Sequence, residues 1–290
     1  MLRLKQQHEV LATDLLVGYS DGYRRVDVAN REDVDEAISE FMPGAVIHMA
    51  GEVGRLNGEQ HPERMVRVNA LGTMNVVRSC VKHGSKLINF STSEVYGDAF
   101  DSHTPVTEES EVNAFGASNV YAISKMFGES IVKHYVENYG LKALTIRPFM
   151  LYGEGETPSK YRSALTNFVH AALVGRSFDV HRGTGRAWCH ASDFAEGVAL
   201  LVDLDSVGYQ VFNIGSDEYH SMEEVARMVI RATGADSSLI RLCDPPEKFG
   251  TPVKRASIEK IKAIGFAPKV TLREGIARVV EWQRMNLPTH

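Results

Sequence analysis

Short apolar runs alternate with longer stretches in which apolar residues recur every three or four positions, a pattern that predicts strands separated by helices. Runs at residues 9–16, 25–29, 45–50, 87–90, 143–149 and 210–214 read as strands. Helical spacing covers 31–41, 62–83, 119–139, 159–174 and 221–232. Asn30 caps the first helix, and acidic residues in its opening turn complement the helix dipole. Ser221 and Glu224 form a capping box at the start of the last. After residue 151 the simple alternation ends, yet no Gly-, Ser- or Pro-rich linker marks a boundary. The pattern predicts an α/β fold with a smaller lobe packed on the main unit.

One stretch carries candidate chemistry. Ser91, Thr92, Ser93 and Glu94 follow the apolar run at 87–90, which places them at the C-terminal end of a buried strand, where ligands of open α/β sheets bind. Tyr121 and Lys125 lie four apart in a predicted helix, so both project from one face about one turn apart. A tyrosine acting as a base near neutral pH needs its pKa lowered by roughly 3 units, about 4 kcal/mol. One cation at about 4 Å supplies nearly that much at an effective dielectric near 20. Lys125 is expected to be that cation; the plainer reading of the same spacing is an exposed i, i+4 pair.

The strand-end Ser/Thr motif closes in Val95, Tyr96 and Gly97 and is followed by Tyr-x-x-x-Lys at Tyr121 and Lys125. This combination resembles the extended short-chain dehydrogenase/reductase family, in particular its NAD-dependent nucleotide-sugar epimerases, dehydratases and decarboxylases, over nearly the whole chain from Glu9 onward. The resemblance implies a Rossmann-like doubly wound parallel sheet, with 1–150 and 188–215 as the NAD-binding domain and 151–187 and 216–290 as a nucleotide-sugar-binding lobe. It implies that Tyr121 removes a hydroxyl proton while hydride passes to NAD, that Thr92 hydrogen-bonds the reacting oxygen, and that Lys125 lowers the tyrosine pKa and holds the nicotinamide ribose. Asp14, Asp27, Val28, Met49, Ala50, Gly51, Asn69 and Pro148 fall at cofactor positions, with Asp14 on the adenosine ribose and Asp27 near the adenine. A carboxylate at Asp14 favours NAD over NADP, because it repels a 2'-phosphate. Ser93, Met150, Arg162, Asn167 and Arg186 fall at substrate positions, Arg186 being suited to a diphosphate. Relatives commonly join the helices matching 62–83 and 119–139 in a four-helix interface, which implies a homodimer.

Glu94 bears on the choice among reactions. It resembles the C5 base of 4,6-dehydratases and the Thr-Ser-Glu run of UDP-glucuronate decarboxylases, and a carboxylate there can take the C5 proton that a 4-keto group acidifies. The run also occurs among epimerases, and a structural cap or ion-pair member is the plainer alternative. Dehydration or decarboxylation is therefore expected ahead of 4-epimerisation. The rival class is a catalytically degenerate, cofactor-free nucleotide-sugar-binding or assembly protein. Two departures favour the rival. No G-x-x-G-x-x-G or G-x-G-x-x-G occurs near the start, and a phosphate loop about 20 residues before Asp14 would fall ahead of Met1. A truncated or misplaced start, true loss of the loop, and replacement by a rearranged N-terminus or a partner chain stay open. Met150 stands where relatives usually have Asn, which removes a hydrogen-bonding side chain.

Composition narrows the partners. A net charge of −5 gives no basic footprint for nucleic acid. Cys80, Cys189 and Cys243 show no Cys-x-x-Cys or zinc spacing, so no metal is expected, and they suit a reducing cytoplasm. The longest apolar runs fall short of a membrane span. Arg55, Asn57, Gly58 and Glu59 read as a polar loop facing solvent or the sugar, and His190 reads as structural, with no carboxylate partner evident.

Overall fold

The computed structural model describes residues 3–16, 23–100, 104–110, 112, 119–205, 207–245 and 253–287. They form two compact units. The first comprises Met1–Gly97, Val112–Arg147 and Ala195–Phe212; the second comprises Asp98–Glu111, Pro148–Phe194 and Asn213–His290.

In the first unit, strands β1 (Ala12–Asp14) and β2 (Tyr23–Arg25) pair in parallel. Strands β3 (Ala45–His48), β4 (Lys86–Phe90), β5 (Ala143–Pro148) and β6 (Gln210–Ile214) form a separate four-stranded sheet in the order β6-β5-β4-β3. β3, β4 and β5 run parallel, with Ala45 opposite Lys86 and Leu87 opposite Ala143. Both early strands differ from the expected spans. β1 is shorter than 9–16, and β2 ends at Arg25 where 25–29 was expected to be extended. Asp27 is the reason: its carboxylate accepts from Ala29 N (2.9 Å) and its own N donates to Asp33, which turns the backbone out of the strand.

Helix α1 (Arg31–Phe41) starts at the expected cap, Asn30, whose side chain accepts from Glu32 N. Short helix α2 (Arg55–Gln60) replaces the expected polar loop. The helix expected over 62–83 is continuous but changes pitch: α3 (Pro62–Met65) passes through a π-helical stretch, Val66–Leu71, into α4 (Gly72–His83). Helix α5 (Val120–Tyr139) is capped by the Asn119 side chain on Ala122 N, and Glu59 accepts from Val120 N. The core between α1, α4 and the sheet includes Val34, Ala37, Ile38, Val76, Val77, Cys80 and Leu87. The 34, 37, 38 spacing is the apolar stripe that made α1 legible, and each large aliphatic side chain so buried contributes roughly 1.5–3 kcal/mol.

Asp35, on α1, receives Ser79 Oγ (3.1 Å) and Lys82 Nζ (2.6 Å) and faces His83 Nε2 (3.0 Å), all on α4. The Lys82 and His83 hydrogen bonds hold its carboxyl down at about 2. A depressed carboxylate stabilises above the unfolded value, about 3.9, and loses that contribution as pH falls through the folded value. Thermal unfolding should therefore show Asp35→Asn less stable at pH 7, by about 1 kcal/mol or less for so exposed a network. The gap to the unsubstituted protein should close between pH 4 and 2. A gap independent of pH would dismiss the ionic account.

In the second unit, Gly185–Ala187 pairs antiparallel with Tyr219–Ser221 and parallel with Val253–Lys254, while Phe178–His181 pairs with Ile240–Cys243. Helices Ala164–Leu173, Met222–Thr233 and Leu272–Asn286 enclose a core around Phe168, Phe178, Trp188, Val225 and Ile276. The expected capping box at Ser221 and Glu224 is present, and Thr271 with Glu274 forms a second. The helix expected over 159–174 begins only at Ala164. Glu156 accepts from Ser163 Oγ (2.6 Å) and from Thr166 Oγ1, which makes Ser163 the cap and leaves Arg162 in the turn before it.

Candidate active site

β4 delivers Ser91, Thr92, Ser93 and Glu94 at its C-terminal end, where the chain enters a 3₁₀ turn, Ser93–Ala99. The turn depends on Gly97, whose φ of 50° and ψ of −120° suit a residue without a Cβ. Glu94 N donates to Thr92 Oγ1 (3.3 Å), which fixes the start of the turn.

α5 brings Tyr121 and Lys125 to this strand end. Both are buried, and Tyr121 hydrogen-bonds Thr92. Lys125 Nζ donates to Phe90 O (2.9 Å), the last carbonyl of β4. Burial pushes the Tyr121 phenol up to about 12, against the Thr92 hydrogen bond and with the Glu94 charge adding to the rise. The Lys125 ammonium is directed at Phe90 O, and burial favours the neutral form of Tyr121. Burial also lowers Lys125 to about 8, opposed by the carboxylate of Glu129 one turn along the helix.

The end of β3 closes the site from the other side. A Cβ on Gly51 would lie 2.9 Å from Asn69 Oδ1 and 3.1 Å from Lys125 Nζ, so a larger residue there would displace one or both side chains. Asn69, from the π-helical stretch, donates to Glu52 O (2.9 Å) and Ser124 Oγ (3.0 Å) and accepts from Glu52 N (2.8 Å), so its amide braces the loop after β3 against α5. His48 is buried against Thr73 Oγ1 (3.1 Å), and burial lowers it to about 3, which keeps it neutral.

Glu94 is an ion-pair member: Arg55 Nε and Nη2 each lie 2.6 Å from its Oε2. Beneath the site, Arg147 and Glu129 form a buried two-point pair at 2.9 and 2.7 Å, and the Arg147 guanidinium stacks 4.7 Å from the Tyr96 ring centre. Sequence reasoning missed this pair. Its only trace was a glutamate four residues after Lys125 and an arginine at a strand end.

The first unit thus brings together Thr92, Ser93, Glu94, Tyr121, Lys125, Gly51 and Asn69. The other cofactor candidates there sit on strand ends and turns: Asp14 is exposed and accepts from Leu16 N, Asp27 forms its turn, Val28 O accepts from Asn75, and Met49 and Ala50 are exposed; Pro148, the last residue of β5, is assigned to the second unit. Met150, Arg162, Asn167 and Arg186 belong to the second unit. Met150 has φ 35°, a left-handed conformation that asparagine adopts more readily than methionine. Asn167 donates to Ser159 O (3.0 Å) and Ser163 O (3.1 Å), and Arg186 donates to Gly185 O (2.8 Å). His190 departs from expectation: its Nε2 stands 3.0 Å from Glu154, a carboxylate partner that sequence spacing did not reveal. Among the described residues no group of side chains has the makings of a metal site, and no helix is long and apolar enough to cross a membrane.

A tyrosine, a threonine and a lysine gather at the carboxyl ends of a parallel sheet, the arrangement expected of an extended short-chain dehydrogenase/reductase. Residues 2–215 match the NAD dependent epimerase/dehydratase family, and the chain belongs to that enzyme family. Among its relatives is GDP-L-fucose synthase 1 of Arabidopsis thaliana, 29% identical over 276 residues, covering 91% of this chain and 84% of the relative. UDP-glucuronic acid decarboxylase 5 of the same plant is 27% identical over 295 residues, covering 98% and 84%. The UDP-glucose 4-epimerase of Thermus thermophilus, solved as a complex with NAD, superimposes with a TM-score of 0.87 at 26% identity, covering 98% of this chain and 94% of that one. A synthase, a decarboxylase and an epimerase at similar identity define the family without selecting a reaction.

Proposed function

We propose that this chain binds NAD and a nucleotide-diphosphate sugar and acts through a transient 4-keto sugar, with dehydration or decarboxylation ahead of 4-epimerisation. The observation that carries the reading is the carboxylate of Glu94 beside the Thr92–Tyr121 hydrogen bond. A 4-epimerisation needs only the hydroxyl pair, whereas loss of a C5 proton needs a further base.

The residues fit the cofactor. A Cβ on Gly51 would crowd Asn69 and Lys125, and Ser91 Oγ at the end of β4 is buried without a hydrogen-bond partner among the described residues. Lys125 and Tyr121 would hold the nicotinamide ribose, with Asp14, Asp27, Val28, Met49, Ala50 and Pro148 along the strand ends. NAD, when bound, accepts hydride from the sugar and returns it, and brings a positive charge to the site. The chain's own groups handle the protons: Tyr121 takes the hydroxyl proton from an oxygen that Thr92 also holds, and Glu94 takes the C5 proton. Because burial favours the neutral phenol, Tyr121 acts as a base only where added positive charge offsets that burial. Ser93, Arg186, Arg162, Asn167 and Met150 are the candidates for the sugar nucleotide. Exposed Ile123 and Phe127 on α5, with Val66 and Leu71 on the adjoining helix, support pairing with a second copy through these helices.

Calorimetric titration of NAD, followed by a screen of UDP-, dTDP-, GDP- and CDP-sugars for a 4-keto product, tests the reading. Micromolar or tighter NAD binding and one productive nucleotide sugar are expected. A folded protein that binds sugar nucleotide but not NAD would favour the cofactor-free alternative instead.

A further inference from the structure

We propose that Arg55 is the positioning residue for Glu94, fixing that carboxylate as the anion against the strand end that carries Thr92 and faces Tyr121. The inference deepens the functional reading above and rests on Glu94 acting as a base.

The geometry is built. Arg55 Nε and Nη2 both reach Glu94 Oε2 at 2.6 Å, with the two side chains 20% and 15% exposed, so water screens the pair far less than it would a surface one. α2 is also anchored on the catalytic helix. Gly54, at φ 94°, turns the chain into α2; Gly58 packs so closely that a Cβ would stand 3.1 Å from Tyr121 N; and Glu59 accepts from Val120 N (3.1 Å). Asn57 donates to Glu52 (2.9 Å), and Glu52 pairs with Arg64, so the loop's other carboxylate has its own partner. Arg55 therefore sits at a fixed place relative to Tyr121, and through it so does Glu94.

Two consequences follow. A guanidinium stays protonated in proteins, so it holds Glu94 as a proton acceptor rather than a donor. It also offsets the charge of Glu94, which acts on Tyr121 against phenolate formation. Among the described residues, the charged or titratable groups facing Glu94 include Arg55 from α2 and Tyr121 from α5, with Lys125 one turn further on.

The test uses the full chain labelled with ¹³C-glutamate and followed by infrared titration, with Glu94→Gln subtracted to isolate the Glu94 band. In Arg55→Ala the midpoint should rise by about 1–3 pH units, the scale of one adjacent guanidinium. Arg55→Lys should recover part of the shift, because a point charge lacks the fork. Arg55→Gln serves as the neutral comparison if the alanine variant does not fold. A midpoint unmoved in the neutral variant overturns the proposal. The acid limb of solvent-deuterium uptake at C5 should move with the infrared midpoint. Absence of a 4-keto product in the unsubstituted protein overturns the reaction reading and leaves the infrared comparison to judge Arg55.

Discussion

Tyr121→Phe is expected to lower turnover by roughly a hundred- to ten-thousand-fold, the usual contribution of a positioned acid–base group, while the chain stays folded and still binds sugar nucleotide. The phenyl ring fills the same buried space, so the structural loss is confined to the hydrogen bond with Thr92, about 0.5–1.5 kcal/mol. The direction of the Tyr121 shift sharpens the expectation. Its phenol is held up at about 12, so the protein alone does not keep a phenolate that a neighbouring side chain could replace. Thr92 adjoins Tyr121, but an aliphatic hydroxyl has no accessible anion near neutral pH. Measuring 4-keto formation and thermal unfolding on the same preparation separates chemistry from folding. Turnover within a few-fold of the unsubstituted protein would remove Tyr121 from its assigned role.

Breaking the Glu129–Arg147 pair should have the largest effect on stability, about 3–5 kcal/mol for either Glu129→Gln or Arg147→Met. Both side chains are almost wholly buried, and the two contacts of 2.9 and 2.7 Å are charge-assisted. Removing one partner leaves the other charge without compensation away from water. Replacing both, Glu129→Leu with Arg147→Met, should recover most of the loss, because the desolvation cost of two ions goes with them. Urea unfolding of the three variants checks this, and additive losses in the double variant would refute it. The pair also reaches the site: Glu129 holds the Lys125 ammonium against the lowering caused by burial, so its loss should bring the high-pH limb of turnover down from near the lysine value of about 8.

The candidate site was legible in the sequence because its elements carry local signatures. An apolar run followed by Ser91, Thr92, Ser93 and Glu94 is a strand and its end, and Tyr121 and Lys125 share a helix face whatever the helix packs against. Caps were equally legible, at Asn30 and Ser221, since each is a contact over two or three residues. Boundaries failed where a side chain from farther away intervened. Asp33 took the Asp27 amide and ended β2 early, and Glu156 made Ser163 the cap and excluded Arg162 from its helix.

What the sequence by itself determined is the alternation of strands and helices, the candidate side chains for the chemistry and the family the chain belongs to. The tertiary structure decided the charge state of those side chains. Arg55 and Glu94 are 39 positions apart, Arg147 and Glu129 are 18 apart, and His190 meets Glu154 across a comparable gap. Burial, which lifts Tyr121 and lowers Lys125 and His48, exists only once distant segments exclude water from them. Local spacing fixes which groups can meet along a helix or strand, but proton affinity depends on solvation and on every charge within several ångströms, and those are set by the packed chain.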